Sequence, residues 1–545
     1  MKNKLLVAAS ALVLAALSAP ASAQHQHMPG MTMPMPAKPA AKKPAAKKKA
    51  TKAAPKKKVA AKKPAAKQET ASKPSPTHPG HTQAQPGTQP ADQGVTMPME
   101  HGTMPMPPVE HGQHTMPMPT PAPDAPSQST PMDDGQMNHG QMEGMAMQGK
   151  HAGHQMSMIG ALGPYPMERE SSGTAWQPDT SEHAGLHIMS GEWTLMAHGV
   201  VNLVYDHQSG PRGADKAFAS GMLMGMARRP LGNGTLQFKA MVSPDPLMGK
   251  SGYPLLLASG ETANGTDRLI DRQHPHDFFM ELSGSVSQNI GPKSSAFVYA
   301  GLPGEPAFGP PAFMHREAIL DSPEAPISHH WLDSTHITFG VLTGGLVLDR
   351  LKLEVSRFNA REPDQHRWNI ETGPLDSTSV RVSWNPTREL SLQGSWGHFE
   401  DPEQLEPGVD QKRWSASALY AREIAPGWKF AGTLAWGRKT IEHHGESLKD
   451  DAYVAEASVK HAEWTIFGRG EITENRELLD LEEHGPAYRV GKVSIGAVKD
   501  FRVTKRISLG AGGLLAVNFI PDALEPLYGS SNPLGAMAFI RLKLE

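Results

Sequence analysis

The chain has 545 residues, no cysteine and a formal net charge of −2. A disulfide-stabilised fold is therefore excluded. After the first residues, no stretch offers about 18 consecutive apolar residues, which argues against helical membrane spans.

The N-terminus has the pattern of a secretory signal peptide. Lys2 and Lys4 precede an apolar run from Leu5 to Leu17, and Ala21-Ser22-Ala23 fits a cleavage site before Gln24. The apolar run is too short for a comfortable membrane span. We therefore expect residues 1–23 to direct export across a bacterial inner membrane.

Residues 24–180 lack apolar periodicity and are rich in Pro, Gly, Lys, Met and His, which predicts a disordered periplasmic region. Within it, residues 38–67 hold 13 lysines and no acidic residue, so charge repulsion should keep this block extended. One interpretation is a solvated spacer, and another is electrostatic contact with anionic envelope polymers or lipid head groups. Export argues against nucleic acid as a partner.

Methionine is concentrated in the predicted disordered region, where 17 of the 29 methionines lie between Met28 and Met158. The unit Thr-Met-Pro-Met recurs there beside histidines. Thioethers are soft ligands that select Cu(I), and imidazole also binds Cu(II), so the pattern predicts copper or silver binding. The alternative is a low-complexity spacer in which methionine has accumulated. The candidate ligands are Met31, Met33, Met35, Met97, Met99, His101, Met104, Met106, His111, His114, Met116, Met118, Met137, His139 and Met142.

Residues 181–545 consist of short segments that alternate apolar and polar residues, separated by turn residues. In the segment 193–205 the apolar face begins at Trp193 and ends at Tyr205, a spacing close to that of the aromatic girdles of a membrane barrel. The opposite faces are polar, as a lumen requires. The pattern predicts an all-β fold, a transmembrane antiparallel β-barrel of about 12–16 strands. One feature argues against it, because outer-membrane barrels usually end in an aromatic residue and this chain ends in Glu545.

The predicted barrel contains a second set of candidate metal ligands. They flank a Pro-rich segment, residues 303–326, that we expect to be extracellular or folded into the pore. The alternative is that these residues are structural and hydrogen-bonded. The candidates are His274, His276, Asp277, His315, His329, His330 and His336.

Methionines also alternate along one predicted barrel strand. Met222, Met224 and Met226 share a face, which should line the lumen if Leu223 faces lipid. Met196, His198 and Met241 should fall on the inner faces of neighbouring strands. The pattern favours a metal pathway through the pore or, alternatively, methionine packing in a narrow barrel.

Enzyme motifs for zinc hydrolysis, serine catalysis and phosphate binding are missing from the sequence, and a blue-copper centre would need a cysteine. We therefore expect no enzymatic activity.

The Met/His-rich region ahead of a strand-rich domain resembles the bacterial copper-resistance outer-membrane B family. The residues that carry the resemblance are the Thr-Met-Pro-Met copies, Glu-His-Gly at 100–102 and 110–112, and residues 137–142. The resemblance implies copper sequestration or export at the outer membrane, with metal ions, membrane lipid and periplasmic copper proteins as partners. It assigns no role to a barrel residue. Residues 271–277 and 328–336 are similar to segments of uncharacterised proteobacterial outer-membrane proteins.

Two other functional classes remain open from the sequence. The first is a general porin or structural envelope protein whose arm contacts anionic polymers through its lysines. The second is a soluble periplasmic β-sandwich that binds metal, because a sandwich also alternates polar and apolar residues.

Overall fold

The structure, a computed structural model, describes residues 158–182, 185–443, 445–479 and 485–545. The predicted signal peptide, the lysine block and the candidate ligands from Met31 to Met142 lie outside the described residues. Among the described residues, no helix is both long enough and apolar enough to cross a membrane.

The described chain is built almost entirely of β-strands. The strands are β1 Leu186–Ser190, β2 Trp193–Gln208, β3 Asp215–Leu231, β4 Gly234–Val242, β5 Tyr253–Thr262, β6 Arg268–Gln273, β7 Phe279–Gly291, β8 Ser294–Gly301, β9 Val341–Leu348, β10 Leu351–Phe358, β11 Ser377–Trp384, β12 Leu390–Phe399, β13 Gln411–Ala425, β14 Trp428–His443, β15 Glu446–His461, β16 Trp464–Asn475, β17 Tyr488–Arg502, β18 Ile507–Phe519 and β19 Leu534–Leu544. One-turn α-helices span His329–Leu332 and Glu525–Tyr528, and 3-10 helices span Met167–Arg169, Asp245–Met248, Phe313–His315 and Ser334–His336.

The main sheet closes on itself. Of its 17 strands, β1 only extends the edge of β2, and the other sixteen form a continuous antiparallel wall. Closure is made by β19 against β2, with Leu544 opposite Gly199 and Gly535 opposite Gln208. The hairpin of β5 and β6 forms a separate sheet, and β4 pairs directly with β7. The predicted β-barrel is confirmed, with sixteen wall strands in the described residues, and closure excludes the soluble β-sandwich.

The two faces of the wall follow the alternation in the sequence. On β2, Leu203 and Tyr205 are exposed on the outside, whereas Asn202 and Asp206 are buried on the inside. Exposed tryptophans, among them Trp428 and Trp464, stand on the outer face where strands begin. An apolar outer face with aromatic residues at the strand ends is the surface that a lipid bilayer covers.

The two ends of the barrel differ in the length of their connections. At one end, here the short-turn end, connections such as 232–233, 292–293 and 462–463 have few residues. At the other, the long-loop end, three long connections carry most of the irregular structure. These inner loops are residues 243–278, 302–340 and 359–376.

The inner loops fold into the lumen and contact the wall on several sides. The backbone N–H of Ala307 donates to Ser356 of β10 at 2.8 Å, and that of Gly309 donates to Ser395 of β12 at 3.0 Å. Across the lumen, Ser328 donates to Glu471 of β16 at 2.7 Å. The Pro-rich segment is therefore folded into the pore, which is one of the two positions expected from the sequence.

The segment 158–182 differs from the sequence prediction, which placed it in a disordered region ending at residue 180. It crosses the barrel at the short-turn end, where Ser287 of β7 donates to the carbonyl of Ala161 at 2.6 Å. On the far wall, Thr180 donates to the carbonyl of Ala421 at 2.7 Å. The segment has no periodicity because turns within it and side chains of the wall, and not a regular ladder, satisfy its backbone groups.

Candidate metal site in the lumen

Five of the seven barrel residues predicted as metal ligands come together inside the lumen. His274 and His276 follow β6 on the first inner loop, and His329, His330 and His336 lie on the second. All five are buried, with relative exposures between 2% and 8%. These five residues are called the histidine cluster below.

The five rings form a closed circuit of neighbours. Their centroids are 5.7 Å apart for His330 and His274, 6.4 Å for His274 and His276, and 5.1 Å for His276 and His336. The circuit continues at 5.1 Å from His336 to His329 and returns at 5.5 Å from His329 to His330. The sequence places the two groups more than fifty positions apart, so the folded loops create the cluster.

Four of the imidazoles have an acceptor at Nδ1, that of His330 being Glu362 at 3.2 Å and those of the other three lying closer. The Nδ1 atom of His276 lies 2.8 Å from Asp245 Oδ2, and that of His329 lies 2.8 Å from Asp333 Oδ1. The Nδ1 atom of His336 lies 2.7 Å from the backbone carbonyl oxygen of Asp333. A hydrogen bond that fixes Nδ1 in this way leaves Nε2 to act as the ligand in metal sites of proteins.

Two of those Nε2 atoms are buried and lack a hydrogen-bond partner among the described residues. They belong to His276 and His336, whose rings are direct neighbours. A buried polar atom without a partner calls for an explanation, and a bound ion is one of them. Phe313 covers this pair, with ring centroids 6.1 Å from His276 and 6.3 Å from His336.

The remaining two histidines of the cluster have different electrostatic environments. Burial lowers the pKa of His274 well below its ordinary value, and Arg367 lowers it further, so its 3.1 Å contact with Glu261 is made by a neutral ring. Burial alone would also lower the pKa of His330, but the Glu362 carboxylate at 3.2 Å outweighs burial and raises it to about 9. His330 is therefore an ion-pair partner and a poor metal ligand at neutral pH.

Burial also lowers the pKa values of His329 and His336. For His329, Asp333 opposes the shift without reversing it, and for His336, the neighbouring imidazoles His276 and His329 add to it. Both rings are therefore neutral at neutral pH, which is the form that binds metal.

Buried ion pairs support the cluster from outside. Arg316 joins Asp333 at 2.5 Å to Glu456 of β15 at 2.8 Å, and so anchors the acceptor of two histidines to the wall. Arg367 of the third inner loop pairs with Glu261 and with Asp277, the latter at 3.1 Å.

The other two predicted barrel ligands, Asp277 and His315, lie outside the histidine cluster. The structure places Asp277 in the ion pair with Arg367, although one of its buried oxygens has no hydrogen-bond partner in the described residues. His315 lies in the 3-10 helix beside Phe313, and its carbonyl accepts a hydrogen bond from Ser171 at 3.4 Å. The ring contacts of the histidine cluster are made by the other five.

Another group of side chains, all carboxylates, brings its candidate ligand atoms closer together than the histidines do. Among the described residues, the three donors that all lie within 4.8 Å of one another are the carboxylates of Glu403, Glu406 and Glu477. Arg268 lies 2.7 Å from Glu406 and 3.9 Å from Glu477, so this acidic group is already paired with a cation. It follows that three imidazole nitrogens of the histidine cluster would have to move closer together to share an ion.

The predicted methionine face is confirmed. Met196, Met222 and Met241 are buried inside the barrel, and Leu223 is exposed on the outside. Sequence reasoning missed the residues that hold the histidines, chiefly Asp245, because the acceptors lie on loops without periodicity. For His329, the spacing of four to Asp333 was an available indication.

No protein-family model matches the sequence, and no curated protein matches it. Solved porins are similar in structure. An anion-selective porin from Comamonas acidovorans has 13% identity and a TM-score of 0.39, with 65% of this chain and 100% of that chain covered. Salmonella typhi OmpF in complex with daunomycin has 10% identity and a TM-score of 0.42, with 66% of this chain and 100% of that chain covered. Pseudomonas putida OprB has 9% identity and a TM-score of 0.41, with 65% of this chain and 94% of that chain covered.

At these identities the similarity assigns no function and no residue role to this chain. The physical features are informative without it. A closed antiparallel barrel and an apolar outer face with aromatic residues at the strand ends are features of a bacterial outer-membrane protein.

Proposed function

We propose that this outer-membrane barrel binds copper or silver ions as cargo and takes part in resistance to these metals by sequestration or efflux. In this proposal the Met/His-rich arm captures Cu(I) or Cu(II) in the periplasm, and the histidine cluster holds an ion inside the lumen. The protein has no catalytic role in this proposal.

The observation that carries the proposal is the pair of unpartnered, buried Nε2 atoms of His276 and His336. Their ring centroids are 5.1 Å apart, and each Nδ1 is already hydrogen-bonded. Imidazole is a ligand for both oxidation states of copper, and Cu(I) and Ag(I) accept low coordination numbers. His329, 5.1 Å from His336, supplies a third nitrogen if the rings move together around the ion.

Charge also favours a cation at this position. Asp245 is buried, and among the described residues its carboxylate contacts the imidazole of His276. A buried carboxylate is expensive to leave without positive charge nearby. A metal ion on the Nε2 side of His276 would bring positive charge close to that carboxylate through the ring.

The packing of the lumen bears on the alternative of a general porin. Inner loops and the segment 158–182 contact the wall on opposite sides, and lumen-facing charges such as Lys352 and Arg381 are buried. A barrel of sixteen strands is otherwise wide enough for an aqueous channel. This packing supports handling of small ions over free diffusion of larger solutes.

The test is a competition titration of Cu(I) against a colorimetric chelator, carried out on full-length protein in detergent. We would compare the natural protein with His276→Gln/His336→Gln, with a variant of the arm in which the candidate methionines become Leu and the candidate histidines become Gln, and with both combined. The matched control is His207→Gln/His461→Gln, two exposed histidines on the barrel.

We expect the cluster variant to lose one tight site, the arm variant to lose several, and the control to lose none. An excess of zinc should leave the arm sites occupied by copper, because thioethers discriminate against zinc. An unchanged cluster variant would make the cluster structural, and an unchanged arm variant would make the arm a spacer. If the natural protein binds no Cu(I), the porin alternative leads.

A further inference from the structure

A row of sulfur and nitrogen donors crosses three neighbouring strands inside the barrel. Met196 on β2 lies opposite Met226 on β3, and two residues further along, His198 lies opposite Met224. Met224 in turn lies opposite Met241 on β4. Side chains directly opposite each other on one face have Cβ atoms about 4.5–5.5 Å apart. Each pair can therefore bring its donors to one ion.

The row continues toward the histidine cluster. Met222, Met241 and Met280 pack into one apolar group with Ile337 and Phe339, and Met224 and Met314 contact that group. Ile337 directly follows His336 in the chain, and Met314 directly follows Phe313, the ring that covers His276 and His336. The methionines therefore end against the two segments that hold the cluster.

The other end of the row lies where the described chain begins. Arg228, two residues beyond Met226 on the same face of β3, donates to the carbonyl of Ile159 at 2.8 Å. Ile159 follows Met158, the first described residue, and the Met/His-rich arm precedes it in the sequence. The described chain therefore begins near the pair formed by Met196 and Met226.

Packing alone explains part of this row, because methionine readily fills irregular space in a core. That explanation suits Met280, which is fully buried. It suits Met224 and Met226 less well, because both are only partly buried in a lumen lined by polar residues. Lys239 lies opposite Met226 on β4, and Glu281 lies opposite Met241 on β7.

We propose that Met196, Met226, Met224, Met241 and His198 form a binding track for a soft monovalent ion, Cu(I) or Ag(I), which leads from the start of the described chain to the histidine cluster. The inference rests on the proposed function and names the route by which its cargo reaches the cluster. Along the strands, successive pairs are separated by about 7 Å, two residues at about 3.4 Å each. An ion held by one pair is then a short distance from the next.

The test is an NMR titration of full-length protein in detergent, labelled with ¹³C at the methionine methyl groups and at histidine Cε1. The probe is Ag(I), which is diamagnetic, with Zn²⁺ as a comparison ion. Single Met→Leu variants assign the signals. The matched control is the methyl signal of Met537, a buried methionine that faces the lumen from β19 and lies outside this row. The variant Met537→Leu identifies that signal.

We expect Ag(I) to shift the methyl signals of Met224, Met226 and Met241 and to leave that of Met537 in place. Zn²⁺ should shift none of these methyl signals. In the double variant Met224→Leu/Met241→Leu, the Ag(I)-dependent shift of Met226 should persist through its pair with Met196. Unmoved methyl signals for Met224, Met226 and Met241 at silver concentrations that shift the arm signals would overturn the inference.

The same titration separates this inference from the proposed function. If the signals of His276 and His336 shift while the methyl signals of the row do not, the cluster binds metal and the track is wrong. If the row shifts and the cluster does not, the methionines bind soft ions and the proposed role of the cluster fails.

Discussion

Asp245 holds His276 in place without being a ligand itself, so it tests the histidine cluster from outside. Its Oδ2 lies 2.8 Å from Nδ1 of His276 and accepts from the backbone N–H of the same residue at 3.3 Å. Its Oδ1 accepts from the backbone N–H of Gly221, also at 3.3 Å. Asp245→Asn keeps the shape of the side chain but replaces one acceptor oxygen with an NH₂ donor. One N–H group must then face another donor.

The size of the effect follows from these contacts. Loss of a carboxylate that orients a metal-binding histidine typically weakens metal affinity by about 10- to 100-fold. That range corresponds to about 1.4–2.8 kcal/mol of binding free energy. A buried donor left without its acceptor also lowers the free energy of unfolding by about 1–3 kcal/mol.

A control must separate weaker binding from looser loops. Asp271 is equally well buried, and accepts hydrogen bonds from the backbone N–H of Leu257 at 2.7 Å and from the hydroxyl of Tyr528 at 2.9 Å. It also pairs with Arg212 at 2.5 Å. Asp271→Asn should therefore lower stability by at least as much and leave metal affinity unchanged. Chelator competition gives the affinity, and denaturant unfolding in detergent gives the stability. Equal losses of affinity in both variants, or no loss in Asp245→Asn, would refute the reasoning.

Three further predictions concern the packed lumen. Arg316→Met should lower the free energy of unfolding by about 3–5 kcal/mol, because it removes the guanidinium from two buried carboxylates and leaves Asp333 with His329 and Glu456 with Arg469. Denaturant unfolding followed by tryptophan fluorescence would measure the loss. Gly437→Ala should reduce metal affinity while the barrel still forms, because a Cβ there would lie 2.4 Å from the carbonyl oxygen of Trp331 and displace the helix that carries His329 and His330. An unchanged affinity would show that the position of this helix is immaterial. Burial raises the pKa of Glu305 from 4.5 to about 7, so the folded state binds its proton more tightly than the unfolded chain, and stability should fall as the pH rises from about 4.5 through about 7; Glu305→Gln should flatten that part of the pH profile.

The wall of the barrel was predictable because its physics is local. Alternation in residues 193–205 predicted a strand, and β2 runs from Trp193 to Gln208. Each wall strand has one face toward the apolar lipid and one toward the polar lumen. Apolar and polar residues must therefore alternate along the strand.

The lumen was less predictable because its contacts are distant in sequence. Residues 274–276 and 329–336 each suggested a site, but no periodicity links two loops that meet only when the barrel closes. The segment 158–182 was placed in the disordered region for the same reason. One indication was available in its composition: Tyr165 and Trp176 pack edge to face at 5.1 Å, and two large aromatic residues are unusual in a disordered stretch.

The segment 158–182 and the loop that covers the histidine cluster belong to one contact network. The hydroxyl of Ser172 accepts from the backbone N–H of Ala312 at 2.9 Å, one residue before the 3-10 helix Phe313–His315. Ser171 also donates to the carbonyl of His315, the last residue of that helix, at 3.4 Å. Phe313 covers the histidine pair, so these two contacts hold the covering ring in place. Ser171→Ala/Ser172→Ala removes both hydroxyls, and we expect weaker metal binding at the cluster in a barrel that still forms. Chelator competition would measure the loss, and an unchanged affinity would contradict this reasoning.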